Sequence, residues 1–240
     1  MNLATYPLTA SMINQLNRVD VISNNLANSK TVGYKEENVI QGSFNEYLTR
    51  AKNEAGLDHD LSKVYNTIPK IDNKYADTTV GNLVSTGNTL DFAIKQKDLY
   101  FKVQDENGQV FLTRDGVFSN QNNVLVTKNN YKVLDINDQP VAIDNQNAFA
   151  ANIGLFKTDS QNVQKVGNNN YKILDSNKVQ NNITNETTLA QGATEMSNTN
   201  SIGSMVALIE AHRNFEQAQK AITSLSDLTT TLIDKIGSVK

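Results

Sequence analysis

The chain has 240 residues and a formal net charge of −3. Because no cluster of Lys and Arg forms a basic face, this balance predicts that nucleic acid is not a partner. The sequence has no cysteine, which excludes disulfides and thiolate chemistry. No apolar run approaches the roughly 18 residues of a membrane span, and residues 1–30 lack the pattern of a cleaved secretory signal. We therefore expect neither direct membrane insertion nor export by that signal.

The first predicted element is an N-terminal helix within residues 1–30. Its apolar residues recur at helical spacing, namely Met12, Leu16, Val19 and Leu26. The pattern stops at Asn28 and Ser29, whose short polar side chains compete with the helical backbone. Gly33 tolerates positive φ, so the stretch 24–35 predicts a helix end followed by a sharp exit.

Residues 31–79 are predicted to form an extended linker segment. From Asn38 to Asn73 the composition is polar and shows no clear periodicity. A structureless stretch of this length is unusual inside a compact domain. It is therefore interpreted either as a flexible loop or as a segment that orders on packing against something else.

The middle of the chain, residues 80–184, is predicted to form an antiparallel β domain, built as a twisted sandwich or an open barrel. Short β-type runs alternate there with Gly, Asn and Asp, without a helical pattern. The predicted strands are Leu90–Ile94, Leu99–Gln104, Val110–Thr113, Val124–Thr127, Tyr131–Leu134, Val141–Ile143, Ile153–Lys157 and Tyr171–Leu174. The pair Asn107-Gly108 predicts a tight hairpin between the second and third of these. Similar stretches at Asn129–Asp135 and Asn169–Asp175 predict two similar corners in one domain.

Residues 185–200 are predicted to be a return linker, and residues 201–240 a long C-terminal helix. Its seam follows a heptad pattern, with one set of positions at Leu208, Phe215, Ile222 and Ile236 and a second at Ala211, Ala218, Leu225 and Leu232. The helix carries few charges, which is unusual for a helix free in water, so it is predicted to contact more protein. The alternative is an ordinary helix packed on its own domain. The predicted fold class is α+β, with long terminal helices and an antiparallel β domain in the middle.

Few residues suggest chemistry. His59 lies between two aspartates, but three adjacent residues cannot easily converge on one metal ion, and His212 flanks the apolar seam. The tripeptide Arg114-Asp115-Gly116 permits a cell-adhesion signal or a turn after a strand, and the turn is favoured because Asp-Gly is common turn chemistry. No pair of carboxylates stands out, so we expect no enzyme, no cofactor and no metal site.

A compound motif near the N-terminus has a specific resemblance. The run Asn24-Asn25-Leu26-Ala27-Asn28, followed by Thr31-Val32-Gly33-Tyr34-Lys35, resembles the signature of the bacterial flagellar rod and hook family. Further blocks match at Thr86–Asp91, Ala93-Ile94, Thr113–Gly116, Leu125–Thr127, Gln191-Gly192, Glu195–Asn198 and Met205–Glu216. The resemblance implies an axial subunit whose terminal helices pair as a coiled coil lining a tube, with the β domain outside. It also implies export through the flagellar type III channel without cleavage.

Two stretches bear on the position within that family. The usual Gly-Asp-Gly-Phe-Phe block is replaced by Lys95–Phe101, which contains neither glycine. This departure argues against a hook or distal-rod protein. The run Arg213-Asn214-Phe215-Glu216 resembles the proximal-rod type, so a proximal rod is favoured over a distal one.

The resemblance predicts a structural subunit of the flagellar basal-body rod, in the periplasm, that polymerises into a helical tube, transmits torque and encloses the export channel. Its predicted partners are copies of itself, neighbouring rod proteins and the export apparatus. The predicted assembly interface consists of Met12, Leu16, Val19, Leu26, Asn28, Gly33, Tyr34, Met205, Leu208, Phe215, Ile222, Leu225, Leu232 and Ile236. The alternative is a secreted β-rich adhesin or binding module with a helical oligomerisation stalk.

Overall fold

Along the sequence, one long helix precedes a series of short strands and a second long helix follows it. The structure is a computed structural model that describes residues 5–43, 69–143, 153–182 and 188–237. The elements are α1 (Thr5–Ala27), β1 (Glu37–Ser43), β2 (Pro69–Ala76), β3 (Leu83–Ser85), β4 (Phe92–Ile94), β5 (Leu99–Gln104), β6 (Val110–Thr113), β7 (Phe118–Gln121), β8 (Val124–Thr127), β9 (Lys132–Val133), β10 (Leu155–Lys157), β11 (Val163–Gly167), β12 (Asn170–Ile173), β13 (Gln180–Asn182), β14 (Leu189–Gln191), β15 (Ala193–Glu195) and α2 (Ser201–Gly237). The α+β fold class is confirmed.

The chain divides into two compact units. The helical unit comprises Met1–Asn24, Asn38–Lys74 and Ser201–Lys240, and the β unit comprises Asn25–Glu37 and Tyr75–Asn200. The last turn of α1, from Asn25 to Ala27, therefore belongs to the β unit. Neither described helix combines the length and the hydropathy that crossing a membrane requires.

The β unit is built around one antiparallel sheet. Its strands follow the order β11-β12-β6-β5-β9-β8-β7, and β10 joins β5 to β13. The register places Phe101 opposite Thr113 and Val103 opposite Phe111. Two smaller antiparallel pairs, β14 with β4 and β15 with β3, complete the strands of the unit.

The central strand β5 explains how both faces of the sheet become buried. Successive side chains of a strand point to opposite faces. Leu99, Phe101 and Val103 accordingly join one core cluster, and Tyr100 joins a second one with Tyr171. The rings of Phe101 and Phe118 meet edge to face at 5.1 Å in the first cluster, and those of Tyr100 and Tyr171 meet at 5.6 Å in the second. Such packed aromatic pairs stabilise a core beyond the area they bury.

The predicted hairpin is confirmed, because β5 and β6 pair antiparallel around residues 105–109. Gly108 has φ +80°, and Asp105 Oδ1 accepts hydrogen bonds from the backbone nitrogens of Asn107 and Gln109. The turn at Asp135 has the same two bonds, at 2.7 and 2.8 Å. In both turns an aspartate side chain replaces missing backbone partners, as aspartate does in local turns.

The structure differs from the prediction in both expected linkers and in one expected strand, and it adds the strands β3, β7, β11 and β13 within the β domain. The expected linker 31–79 contains β1 and β2, which pair with each other, while residues 44–68 lie outside the described residues. The expected return linker 185–200 contains β14 and β15. The expected strand Val141–Ile143 is replaced by one isolated bridge, Ala142 with Val124, and by individual backbone hydrogen bonds of Val141 and Ile143. Short runs such as Ala193–Glu195 have too little apolar alternation to identify them, and their strand pairing depends on distant partners.

The central position of Phe101 leads to a stability prediction. Replacing this fully buried ring in Phe101→Ala leaves a cavity beside Phe118, and should lower the free energy of unfolding by about 3–5 kcal/mol. Leu174→Ala is the control, because Leu174 is exposed and surface changes typically stay within about 0.5 kcal/mol. Urea unfolding followed by near-UV circular dichroism measures both. Equal losses in the two variants would contradict this core assignment.

Candidate functional site

The candidate site begins where α1 ends. We call residues Asn28–Glu37 the strap. Its first turn is closed by backbone bonds from Ser29 to Leu26 and from Thr31 to Asn28, and the Thr31 hydroxyl donates to Asn28 Oδ1 at 3.2 Å. These local bonds satisfy carbonyls that the helix end would otherwise leave without partners. The predicted helix end is thus at Ala27, and Asn28 is part of the turn that follows.

Gly33 fixes the strap against the β unit. Its φ is +69°, and its backbone nitrogen donates to the Glu195 carbonyl at 2.7 Å. An added Cβ would lie 2.4 Å from the Asp115 backbone nitrogen. Glycine is therefore required here both by backbone conformation and by space. This close contact of Gly33 is the physical cause of the sharp change of chain direction that the sequence predicts after α1.

Three charged side chains form a buried charge cluster beneath the strap. Lys35 Nζ lies 2.5 Å from Glu195 Oε1, and the Arg114 guanidinium lies 2.8 Å from Glu195 Oε2. The three side chains are at most 1% exposed. Lys35 also donates to the Thr79 carbonyl, and the Gly81 nitrogen donates to Glu195 Oε1 at 2.8 Å. Glu195 thus accepts hydrogen bonds on both carboxylate oxygens, which is what makes burial of its charge tolerable.

Arg114 extends the cluster into the loop that departs from the family pattern. Its guanidinium donates to the carbonyls of Gln96 at 2.8 Å and Leu99 at 2.6 Å. Within this loop Asp98 has φ +59°, a conformation that glycine adopts most readily, and its side chain accepts from the Thr78 hydroxyl at 2.7 Å. The loop therefore makes a left-handed turn at a residue that is not glycine.

The cluster has two cations for one carboxylate. Burial and the Arg114 charge lower the pKa of Lys35, whereas the Glu195 charge and hydrogen bond raise it. A buried ion whose partner is removed is strongly destabilising, because its desolvation is no longer offset. Glu195 is therefore the residue on which both cations depend.

The adhesion interpretation of Arg114-Asp115-Gly116 is wrong. Arg114 is bonded inside the cluster and cannot meet a receptor. Asp115 accepts from the Val117 nitrogen in a turn, and burial raises the pKa of its carboxyl. A Cβ on Gly116 would lie 1.7 Å from the Phe92 carbonyl oxygen. The tripeptide is the turn after β6, as its Asp-Gly pair predicts.

Two asparagines and a tyrosine hold the far end of the strap. Asn25 bonds both backbone groups of Glu37 and accepts from the Tyr34 hydroxyl at 3.0 Å. Asn198 accepts from the Glu36 nitrogen at 2.8 Å. Lys165 lies 3.6 Å above the Tyr34 ring and 3.3 Å from the Glu37 carboxylate. Predicted interface residues Gly33 and Tyr34 are consequently buried in the β unit.

On α2 the least exposed positions follow the predicted heptads. Ser204, Ala211 and Ala218 are buried at seven-residue intervals, and Leu208, Phe215, Ile222 and Leu225 are half-buried. Met205 is 51% exposed, Leu232 is 58% exposed and Ile236 is 76% exposed. The seam thus has a covered part up to residue 229 and an open part from residue 230 to residue 236.

On α1 the buried positions differ from the predicted apolar stripe. Asn14 and Val21, seven residues apart, are buried within the helical unit. Leu16 is 46% exposed, while Met12, Val19 and Leu26 are half-buried. Apolar spacing alone could not identify Asn14, because a buried asparagine contributes no apolar signal.

The sequence patterns did not identify Lys35, Arg114 and Glu195 as a group. Each of these residues belongs to a block that carries the family resemblance, and this was the available signal. Only the fold brings these blocks from the start, middle and end of the chain together. Among the residues that the structure describes, no group of three or more His, Cys, Asp or Glu side chains could hold a metal ion.

Comparison with known proteins connects these segments to one family. The model of the flagella basal body rod protein matches residues 9–35, and the model of the FlgEFG C-terminal region of flagellar basal body rod proteins matches residues 190–235. The flagellar hook-basal body complex protein FlhO of Bacillus subtilis is 27% identical over 98% of each chain. The flagellar basal-body rod protein FlgF of Mesorhizobium japonicum is 27% identical over 92% of each chain. FlgG of Borreliella burgdorferi is 26% identical over 95% of this chain and 96% of its own length.

Removal of the shared carboxylate tests the charge cluster. Glu195→Gln leaves Lys35 and Arg114 buried without an anion, and should lower the free energy of unfolding by about 3–5 kcal/mol. Asp138→Asn removes the partner of Lys102 in a surface pair where the aspartate is 59% exposed, and should cost less than about 1 kcal/mol. Asn tolerates the positive φ of position 138. Similar losses for both variants, measured by urea unfolding, would show that the cluster contributes little.

Buried tyrosines predict a loss of stability in alkali. Burial raises the pKa of Tyr100 to about 12 and also raises the pKa of Tyr171. Above the ordinary tyrosine pKa of 10.0 the unfolded chain loses these protons while the folded chain keeps them, so stability falls as pH rises. The Tyr171 hydroxyl has no hydrogen-bond partner among the described residues. Tyr171→Phe should therefore keep the wild-type stability at neutral pH and show a shallower decline above about pH 10. Unfolding curves measured across this range test it, and an unchanged decline would contradict it.

Proposed function

The chain belongs to the flagellar basal-body rod protein family, and we propose that it is a structural subunit of the rod whose terminal helices pair as a coiled coil inside a helical tube. In this role it lies in the flagellar basal body, within the rod that crosses the periplasm. The tube transmits torque and encloses the export channel. We propose no catalytic role.

The observation that carries the assembly proposal is the open apolar surface of the helices. Ile202, Met205, Val206 and Ile209 of α2 are all more than half exposed, as are Leu232, Ile233 and Ile236 near its end. A single soluble chain rarely leaves such a series of large apolar side chains in water, and contiguous apolar surface usually marks an interaction site. On α1, Ile13 and Leu16 are also exposed. These residues are available to neighbouring subunits.

The coiled-coil part of the proposal is supported by the seam. Residues of α1 and α2 belong to the same compact unit, and α2 buries positions 204, 211 and 218 at heptad spacing. Small residues at these positions allow two helices to approach closely. The half-buried positions 208, 215 and 222 complete the alternating steps of four and three residues that a coiled-coil seam requires.

Open seams also suggest how assembly is ordered. Helices gain much of their stability when their apolar face packs against a partner. The exposed end of α2 is therefore expected to become fully ordered when a neighbouring subunit covers it. Each new subunit covers surface on the last one and offers the same surface again. Such a heterologous contact, repeated with a rotation that does not close, produces an open helical tube.

We further propose a proximal position in the rod, contact with neighbouring rod proteins, and passage through the flagellar type III export apparatus. The proximal position is supported by Arg213-Asn214-Phe215-Glu216, which resembles that type. Contact with neighbouring rod proteins is supported by relatives named as rod proteins that match over nearly the whole chain. The adhesin alternative depended on Arg114-Asp115-Gly116, and it is not supported because Arg114 is buried and bonded to Glu195.

A charge placed on the open seam tests assembly separately from folding. Leu232→Asp should abolish incorporation into the rod and motility, because a carboxylate cannot be buried between apolar helices without a partner. The variant should keep the wild-type unfolding curve of the β unit. Ser224→Asp, which adds the same charge at an exposed polar position of α2, should incorporate normally.

The measurement is complementation of a strain lacking this protein, with swimming assays and detection of the labelled chain in purified basal bodies. Absence of the wild-type chain from basal bodies would contradict the proposed function. Normal incorporation of Leu232→Asp would contradict the assembly surface alone.

A further inference from the structure

We propose that Asn25 and Asn198 form a clamp on the end of the strap that sets the register between the two terminal helices. The proposal rests on the proposed function, since it concerns a subunit whose helices must match those of its neighbours. Both asparagines lie outside the strands of the sheet, so the pairing of those strands does not account for their hydrogen bonds.

Asn25 binds the strap in the way a neighbouring strand would. Its Nδ2 donates to the Glu37 carbonyl at 2.8 Å, and its Oδ1 accepts from the Glu37 nitrogen at 3.0 Å. A carboxamide carries the same donor and acceptor as a peptide group, so it satisfies both backbone groups of one residue. Because Asn25 is only 3% exposed, water does not compete readily for these bonds. The Asn25 side chain therefore binds the backbone of Glu37 specifically and fixes which strap residue lies beside the end of α1.

Asn198 holds the adjacent residue. Its Oδ1 accepts from the Glu36 nitrogen at 2.8 Å, and its Nδ2 donates to the Asp77 carbonyl at 3.0 Å. The Asp77 nitrogen in turn donates to the Glu36 carbonyl at 2.8 Å. Asn198 thus joins the strap to the residue that follows β2, and Asn198 is itself part of the segment that leads to α2.

The two asparagines of the clamp together make a slip of the strap costly. Neighbouring residues of an extended segment present their backbone groups on opposite sides, so a shift by one residue would offer the wrong groups to both asparagines at once. It would also move Lys35 away from Glu195. The register is therefore fixed by three independent side-chain contacts rather than by apolar packing alone.

Along the chain, the clamp lies next to the ends of both helices. Asn25 lies in the last turn of α1, and α2 starts three residues after Asn198. Each residue of a helix advances the apolar stripe by about 100° around the axis. A one-residue error at either junction would therefore turn one stripe away from its mate, even though both helices and the sheet remain intact.

Neighbouring asparagines provide a matched test. Asn25→Ala removes the half of the clamp that holds Glu37, whereas Asn24→Ala changes an exposed asparagine whose side chain bonds within its own helix. Asn198→Ala and the insertion of one serine between Ser29 and Lys30 are two further variants. For each we would measure β-unit unfolding by near-UV circular dichroism and the amount of labelled chain in purified basal bodies.

We expect Asn25→Ala, Asn198→Ala and the insertion to retain a cooperative unfolding transition and yet to lose incorporation and motility, while Asn24→Ala behaves as the wild type. Normal incorporation of Asn25→Ala and of the insertion variant would overturn the clamp. So would loss of the unfolding transition in these two variants, because the contacts would then serve the fold itself. If the wild-type chain is absent from basal bodies, the proposed function fails instead.

Discussion

The carboxylate of Glu195 neutralises two buried cations, and the arrangement of the β unit depends on it. Lys35 brings the strap to this carboxylate. Arg114, which follows β6, also binds the carbonyls of Gln96 and of Leu99 at the start of β5. Burial of three ionised groups is unfavourable unless their charges and hydrogen bonds are satisfied together. The cluster is therefore stable only when three distant parts of the chain occupy one arrangement. We interpret it as a device for specifying that arrangement rather than as a large source of stability.

The same network links the two segments that match the family models. Residues 9–35 end at Lys35, and residues 190–235 contain both Glu195 and Asn198, whereas Arg114 lies outside both matches. Signature residues that are far apart in the sequence are thus partners in one site. Gly33 belongs to the same site, because only a residue without a Cβ fits between the Glu195 carbonyl and the backbone of Asp115.

Some of this structure could be predicted from the sequence because its cause is local. The heptads of α2 predicted the covered positions near Ala211 and Ala218, and Asn107-Gly108 predicted the hairpin. Other parts depend on contacts between distant residues. The strands β14 and β15 carry little apolar pattern and form because β4 and β3 accept them. The charge cluster gives no periodic signal, and the buried side chain of Asn14 opposes the apolar pattern from which α1 was predicted.

The β unit is completed within the chain, and we propose that the helices are completed by neighbouring subunits. Amide hydrogen exchange of the free chain and of assembled rods tests this directly, since exchange reports how often each segment opens. We predict strong protection of the strap and of β5 in both samples, with protection of residues 230–237 appearing only after assembly. Equal protection of residues 230–237 before and after assembly, or rapid exchange of the strap in the free chain, would contradict it.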